Sequence, residues 1–255
     1  MKLGFIGTGI ISSALVNGFC KAGIPDLHIW VSPRSKAKSA ALHAAYPEIV
    51  TVAADNQAVI DNADWIFAAL LPEAAEGILS ELTFPKEKKF INLVMTLSTV
   101  RAREIIGDRE ILADVVPLTF AANRFGPAVI YPAIPEVCEL MSHVSEPVPV
   151  ETAKQMAILR AMSGMMSPYY MLISKLTDWC VANGLDEPSA RRYVTGFYGA
   201  LSKNAAVFPG PLEELAREAT PGGINWQALT HLEEKDNYTE WTEILDPILQ
   251  RVTKE

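Results

Sequence analysis

Apolar positions recur along this chain with two periods, and the place where one gives way to the other divides it. The first run, Lys2 to Ile6, is short and nearly all apolar, as a buried strand is. The turn "GTGIIS" follows, and from Ser12 to Ala22 the residues Ala14, Leu15, Phe19 and Ala22 fall at helical spacing. The couplet then repeats. "LHIWVS", "EIVTVA", "DWIFAAL", "KFINLVM" and "EILADVVP" read as strands; "NQAVIDN", "PEAAEGILSEL" (opened by Pro72 and Glu73) and "TVRAREIIG" read as helices between them. Strands that alternate with helices predict a doubly wound parallel sheet with helices on both faces. Ligands of such a sheet bind beyond the carboxyl ends of the strands, which singles out Ala69 to Pro72, Met95 to Ser98 and Pro117 to Asn123.

Around "VSEPVPVETAKQ" the strand pattern stops. From Glu151 the spacing is helical nearly to the end, with long segments at "SPYYMLISKLTDWCVANG" and "EPSARRYVTGFYGALSKNAAV" and shorter ones at "PLEELAREA", "NWQALTHLEE" and "YTEWTEILDPILQRV". The pattern predicts an α/β domain over 1–150 and an all-α domain over 151–255. Helices apolar on several faces need more partner surface than one another, so a second copy is expected against them.

The opening stretch "GFIGTGIISSALVNGF" admits two readings. As the core of a secretion signal it would need an unbroken apolar run and a small-residue cleavage site. Gly4, Gly7 and Gly9 interrupt it, and Asn17 and Lys21 stand where cleavage would fall. As a Rossmann-type nucleotide turn it fits. Gly7 makes the tight turn, Gly9 lets the backbone approach a diphosphate, Ser12 is the third small position, and the helix N-terminus offers unpaired amides to the phosphates. About twenty residues further on, where an NAD enzyme places a carboxylate on the ribose, the chain reads "SPRSKAK". Ser32, Arg34 and Ser35 there suit a 2′-phosphate that a carboxylate would repel, which favours NADP. Arg34, Lys36 and Lys38 also read simply as the wet face of the second helix.

Composition narrows the classes. The 255 residues are 49% hydrophobic and 20% charged, a globular balance that allows one large domain or two smaller ones. A net charge of -8 argues against nucleic acid, which needs clustered Lys and Arg. Cys20, Cys138 and Cys180 form no C-x-x-C pair and read as reduced, buried thiols, and a cytoplasmic protein is expected. His28, His43, His143 and His231 show no H-x-x-x-H spacing, so no metal is expected. No stretch reaches the roughly 20 apolar residues of a membrane helix.

Taken together, "GFIGTGIISSALVNGF", "SPRS", "ADWIFAALLPEAAEGIL", "VVPLTFA", "SPYYMLISKLTDWCVANGL" and "TPGGINWQALTHLEE" make the chain resemble the pyrroline-5-carboxylate reductase family over nearly its full length. The resemblance implies an N-terminal Rossmann domain, a C-terminal helical domain that interlocks into a homodimer, and reduction of a cyclic imine carboxylate to proline with NADPH or NADH. It places Gly7, Thr8, Gly9, Ile10 and Ile11 at the diphosphate and Ser32, Arg34 and Ser35 at the adenosine phosphate. Asn56 and the segment Leu70, Leu71 and Pro72 would line the adenosine and nicotinamide-ribose region. Four positions depart from the family pattern. Its Lys before Pro is Leu71; its Met-Pro-Asn-Thr-Pro loop is "VPLTF", keeping Pro117 and Thr119 but carrying Leu118; its Ser-Gly-Ser-Gly-Pro segment is "SGMMSP"; and its Thr after Pro-Gly-Gly is, one residue removed, Asn225. The departures cluster where substrate is expected.

A simple cyclic imine carries its own proton near neutral pH, so positioning supplies most of the rate and no strong general acid is needed. Asn225 is the candidate for the ring nitrogen and Ser167, with the amides at the start of its helix, for the carboxylate; Thr119 is the third candidate. Asn225 also reads as a helix cap, and Ser167 before Pro168 as an N-cap with Pro at N1. Two other functions stay open: a β-hydroxyacid-type dehydrogenase, whose catalytic Lys would be Lys175 although "KLTD" lacks the Asn that should follow, and a non-catalytic dinucleotide-binding regulator.

Overall fold

In the computed structural model the described residues are 1–254. They form two compact units, one of Met1–Arg160 joined by the last residues from Arg251, the other of Ala161–Gln250.

The first unit starts with β1 (Lys2–Ile6), α1 (Ile10–Lys21), β2 (His28–Val31), α2 (Lys36–Ala45), β3 (Val50–Val52), α3 (Asn56–Asn62), β4 (Trp65–Ala68) and α4 (Pro72–Ser80). It continues with β5 (Lys89–Asn92), α5 (Thr99–Ile106), β6 (Leu112–Val116), a 3-10 turn (Thr119–Asn123), β7 (Pro127–Tyr131), α6 (Pro135–Ser142), β8 (Glu146–Pro149) and α7 (Ala153–Met162). The sheet runs β3-β2-β1-β4-β5-β6-β7-β8. Its neighbours are parallel except β6 and β7, which are antiparallel.

The sheet is mostly parallel, as the alternation of strands and helices predicts, and β7, α6 and β8 extend it beyond the predicted strands. Prolines conceal them. In β8, Pro147 and Pro149 pair with Ala128 and Ile130, while the amides of Glu146 and Val150 donate to Gly126 and Ile130 at 2.8 and 2.9 Å. Alternation therefore turns both prolines' missing N–H groups away from β7, and an outermost strand tolerates that.

Period-two alternation sends residues to opposite faces. Leu3 and Phe5 of β1, Trp65 and Phe67 of β4, Ile91 of β5 and Ala113 and Val115 of β6 join the cluster containing Leu15, Val16 and Phe19 of α1. Ile6, Ile66, Ala68, Phe90 and Leu112 join the opposite cluster with Val59, Ile60, Ala75, Leu79 and Ile106. Phe5 and Phe67, in register, stack at 4.6 Å. Helix α1 also approaches the 3-10 turn so closely that a Cβ on Gly18 would lie 2.1 Å from the Ala121 carbonyl oxygen. Lys21 Nζ closes this contact by donating to the Ala122 carbonyl at 2.8 Å. The turn after β6 is thereby fixed to the nucleotide-turn helix.

The second unit holds a 3-10 turn (Ser163–Met165), then α8 (Met166–Ala182), α9 (Glu187–Val207), α10 (Leu212–Arg217), α11 (Ile224–Glu234), α12 (Asn237–Glu243) and α13 (Leu245–Lys254), the last of which ends in the first unit. The single segment expected from Tyr238 to Val252 is two helices, because Pro247 is accommodated only in the first turn of a new helix. Helix α9 starts at Asp186, whose carboxylate accepts the Ser189 amide at 3.0 Å, with Pro188 in the first turn. Those bonds to Ser189 hold the Asp186 carboxyl below its usual range. Only Ala190 and Val194 of α9 are buried, and Tyr193, Phe197 and Leu201 stand exposed along it. Among the described residues no helix is long and apolar enough to cross a membrane.

Candidate active site

A cleft of about 490 Å³ opens at the carboxyl ends of β1, β2 and β4. Gly7, Thr8, Gly9, Ile10, Ile11, Ser32, Arg34, Ser35, Asn56, Leu70 and Leu71 line it, so all the residues expected at a cofactor come together there except Pro72. Pro72 is the first residue of α4, outside the lining.

The turn is shaped by Gly7, which has φ +93°, and a Cβ there would lie 2.2 Å from the Ala69 carbonyl oxygen. Only glycine takes that backbone at that closeness. Hydroxyls lock the loop from three sides. The Gly7 amide donates to Ser32 Oγ at 2.8 Å, Thr8 Oγ1 donates to the Ser32 carbonyl at 2.8 Å, and Ser12 Oγ donates to the Gly7 carbonyl at 2.6 Å. At Gly9, which precedes α1, no side chain caps the helix, so the first-turn amides remain available to an anion.

Ser32 already has partners within the protein. Its side chain is buried, its Oγ accepts the Gly7 amide, and the Thr8 hydroxyl is its other neighbour at 3.3 Å. It holds the glycine turn to the end of β2 while standing in the lining of the cleft. The cations that face the cleft are Arg34 and Lys38, with no carboxylate in the lining among the described residues. The sequence alone also allows Arg34, Lys36 and Lys38 as one wet helix face; the cleft takes Arg34 and Lys38. The available signal for Lys38 was its place in the first turn of α2, directly after the segment that carries Arg34. Ser35 precedes α2 without making a side-chain cap bond.

Next to the cleft, the loop after β5 is pinned by a buried polar cluster that sequence reasoning missed. Asn92, 2% exposed, donates through Nδ2 to the Leu97 carbonyl at 2.6 Å and to Asp114 Oδ1 at 2.8 Å, and its Oδ1 accepts the Val94 amide at 3.0 Å. Asp114 Oδ2 accepts from Thr99 Oγ1 at 2.6 Å. Arg160 donates to the Met95 carbonyl at 2.8 Å. Burial pushes the Asp114 carboxyl above its usual range, against the bonds from Thr99 and Asn92 and the charge of Arg160. A smaller cavity of about 290 Å³ lies over this cluster, with Met95, Ser98, Asp114, Tyr131 and Arg160 in its wall. The signal was an Asn closing one apolar strand, "FIN", and an Asp inside the next, "LADVV".

The three candidates for substrate contact are placed differently. Thr119, exposed, begins the 3-10 turn after β6 in the first unit. Ser167 and Asn225 belong to the second unit and are exposed. Neither is a helix cap. The residue before α11 is Gly223, which leaves Asn225 within the first turn, and α8 already begins at Met166, so Ser167 is helical. The 3-10 turn runs directly into α8 and the Met166 amide bonds to the Ser163 carbonyl, so the start of that helix is less bare than expected. Lys175 is exposed on α8. Burial raises the Cys20 thiol to about 12, which keeps it inert.

Comparison with known proteins adds to this geometry. Residues 2–95 match the family model "NADP oxidoreductase coenzyme F420-dependent", and residues 153–254 match "Pyrroline-5-carboxylate reductase dimerisation". The pyrroline-5-carboxylate reductase of Escherichia coli (strain K12) is 28% identical over 250 residues, covering 92% of this chain and 90% of that protein. That of Methanosarcina acetivorans is 26% identical over 252 residues, covering 91% and 90%. A crystal structure of Plasmodium falciparum pyrroline carboxylate reductase with NADP bound superposes with a TM-score of 0.84 at 21% identity, covering 99% of this chain and 97% of that one.

Proposed function

The chain belongs to the pyrroline-5-carboxylate reductase family, and on that premise we propose that it is an NADP-dependent reductase that converts 1-pyrroline-5-carboxylate, or a closely related cyclic imine acid, to the saturated amino acid. The observation that carries the cofactor half is the cleft itself: a glycine turn with free first-turn amides at one point, and Arg34 and Lys38 without a competing carboxylate at another. When bound there, NADPH would supply the hydride. The protein's own part is to hold. The α1 amides take a diphosphate, and Arg34 and Lys38 take a 2′-phosphate.

On the substrate side the imine nitrogen arrives protonated, so orientation carries the reaction. Asn225 is the proposed partner of that nitrogen, Ser167 of the carboxylate, and Thr119 a further substrate-facing hydroxyl. The proposed assembly is a homodimer through the C-terminal helices, supported by the exposed Tyr193, Phe197 and Leu201 of α9. Three free thiols accord with a reducing, cytoplasmic setting.

The test is loss of NADPH absorbance on addition of 1-pyrroline-5-carboxylate, with proline identified as product. Binding of NADPH with no oxidation across a panel of cyclic imine acids overturns the catalytic reading. Sedimentation of wild type and Phe197→Asp tests the assembly. A wild type that sediments as a monomer overturns that part.

A further inference from the structure

The two ends of the cleft are chemically distinct. Its cations, Arg34 and Lys38, follow β2, whereas the wall beyond Gly7 is apolar: Leu70 and Leu71 after β4, and Leu93 after β5. In the order β2-β1-β4-β5 these lie on opposite sides of the glycine turn. A dinucleotide with its adenosine phosphate at Arg34 and Lys38 therefore extends its nicotinamide half toward the ends of β4 and β5.

We propose that Asp114 is a positioning residue for hydride transfer, acting through Asn92 and Thr99 on the segment 93–98 that borders the nicotinamide end. The inference rests on the reductase reading above. Asp114 does not line the cofactor cleft. Its Oδ1 accepts from Asn92 Nδ2 at 2.8 Å, and the same carboxamide holds the Leu97 carbonyl at 2.6 Å and the Val94 amide at 3.0 Å. Its Oδ2 accepts from Thr99, the first residue of α5, at 2.6 Å. Asp114 thus orients the carboxamide that folds the loop and ties down the helix that ends it. With the Asn92 side chain this well satisfied and buried, the loop has one arrangement open to it, and Leu93 at its start is set in the cleft wall.

The charge of Arg160 and the two hydrogen bonds offset only part of what burying a carboxylate costs in this place. Burial disfavours its charge, and Asn or a hydrophobic residue would fill this position in β6 at less electrostatic cost. What an anion adds is acceptance from two donors at once, the Asn92 amide and the Thr99 hydroxyl, which fixes both orientations.

The experiment compares wild type with Thr99→Val, Thr99→Ser and Asp114→Ala. Thr99→Val keeps shape and removes only the donor; Thr99→Ser restores it. Three quantities are measured: NADPH affinity, the emission enhancement of the bound nicotinamide (which reports how firmly that ring is held), and the single-turnover hydride-transfer rate with NADPH and its 4-deuterated form. Thr99→Val and Asp114→Ala are expected to slow hydride transfer about 10- to 100-fold, the scale of a misplacement near 1 Å. NADPH affinity should change less than about threefold, since the phosphate contacts are remote. The deuterium isotope effect on turnover should rise, the emission enhancement fall, and Thr99→Ser behave as wild type.

Unchanged hydride transfer and emission in Thr99→Val overturn the proposal. So does a loss of rate matched by an equal loss of NADPH affinity, which is general damage to the fold. If wild type turns over no imine, the reductase reading fails by itself, and the emission of bound NADPH in Thr99→Val still decides whether this cluster positions the ring.

Discussion

Replacing Ser32 with Ala separates a clamp from a phosphate reader, because the two roles fail in different ways. Ser32 Oγ accepts the Gly7 amide at 2.8 Å, while the Ser32 carbonyl accepts Thr8 Oγ1 and the Ser32 amide donates to Phe5, both through main-chain atoms that the substitution leaves alone. The variant therefore loses the Gly7 bond and the 3.3 Å hydroxyl contact with Thr8, and leaves one partly buried amide without its acceptor. An orphaned donor of this kind costs about 1–3 kcal/mol, or about 5- to 150-fold in an equilibrium constant. Where the turn is ordered before coenzyme binds, the cost falls on stability, at about 2–4 °C of melting temperature per kcal/mol for a chain of this size. Where the turn orders on binding, it falls on the dissociation constant. In both cases the diphosphate cradle is affected, and NADPH and NADH carry the same diphosphate. Fluorescence titration should show both coenzymes weakened by a common factor. Arg34→Ala should instead lose one charge-assisted contact, about 1.5–3 kcal/mol, from NADPH alone. If Ser32→Ala weakens NADPH and spares NADH, the hydroxyl reads the phosphate and the clamp account is wrong. If neither binding nor melting changes, the Gly7 bond carries no weight.

Further outcomes follow from the same coordinates. Lys38→Ala should raise the NADPH dissociation constant about fivefold or more, leave NADH alone, and have no counterpart in Lys36→Ala, since Lys38 and not Lys36 faces the cleft; the titration that measures Arg34→Ala measures this. Gly18→Ala should destabilise by about 1–3 kcal/mol or more as an overpacking substitution, because its Cβ would meet the Ala121 carbonyl at 2.1 Å; thermal melting is the check, and an unchanged midpoint would mean that α1 and the 3-10 turn are not in contact. Asp114→Asn should melt at or above wild type near neutral pH. A carboxyl raised from 3.8 contributes its stability below 3.8 and loses it as pH rises through the folded value, so the advantage of Asn should shrink as pH falls toward 3.8.

What the sequence disclosed follows from how local each cause is. The β1 turn is legible because Gly7 and Gly9, the preceding apolar run and the helical spacing after Ser12 all act within a few residues. Helix α9 is legible over its whole length because Asp186 and Pro188 mark its start and its end lies just before Pro209. Strand β8 is not, since two prolines in four residues argue against a strand wherever its neighbours are unknown. They are harmless here only because β8 is outermost and both prolines point away from β7. The antiparallel turn of β7 likewise depends on which sheet edge is free, a property of the assembled sheet.

The same distinction explains the site. Residue type at "SPRSKAK" identifies a phosphate-binding composition, but which side chain reaches the cleft depends on the last pleat of β2 and the first turn of α2. One residue after Val31, which packs in the core, the pleat turns Ser32 toward the glycine loop, where its hydroxyl is taken up by Gly7. The first turn of α2 brings Lys38 to the cleft beside Arg34 of the preceding loop and leaves Lys36 outside the lining. Asp114 shows the opposite limit. Its partners are 15 and 22 residues away in sequence and meet it only because β5 and β6 lie side by side, Asn92 in register with Asp114. A single polar residue inside an apolar strand therefore acquires its meaning from the neighbouring strand's last residue, and the pair together holds the loop that follows β5.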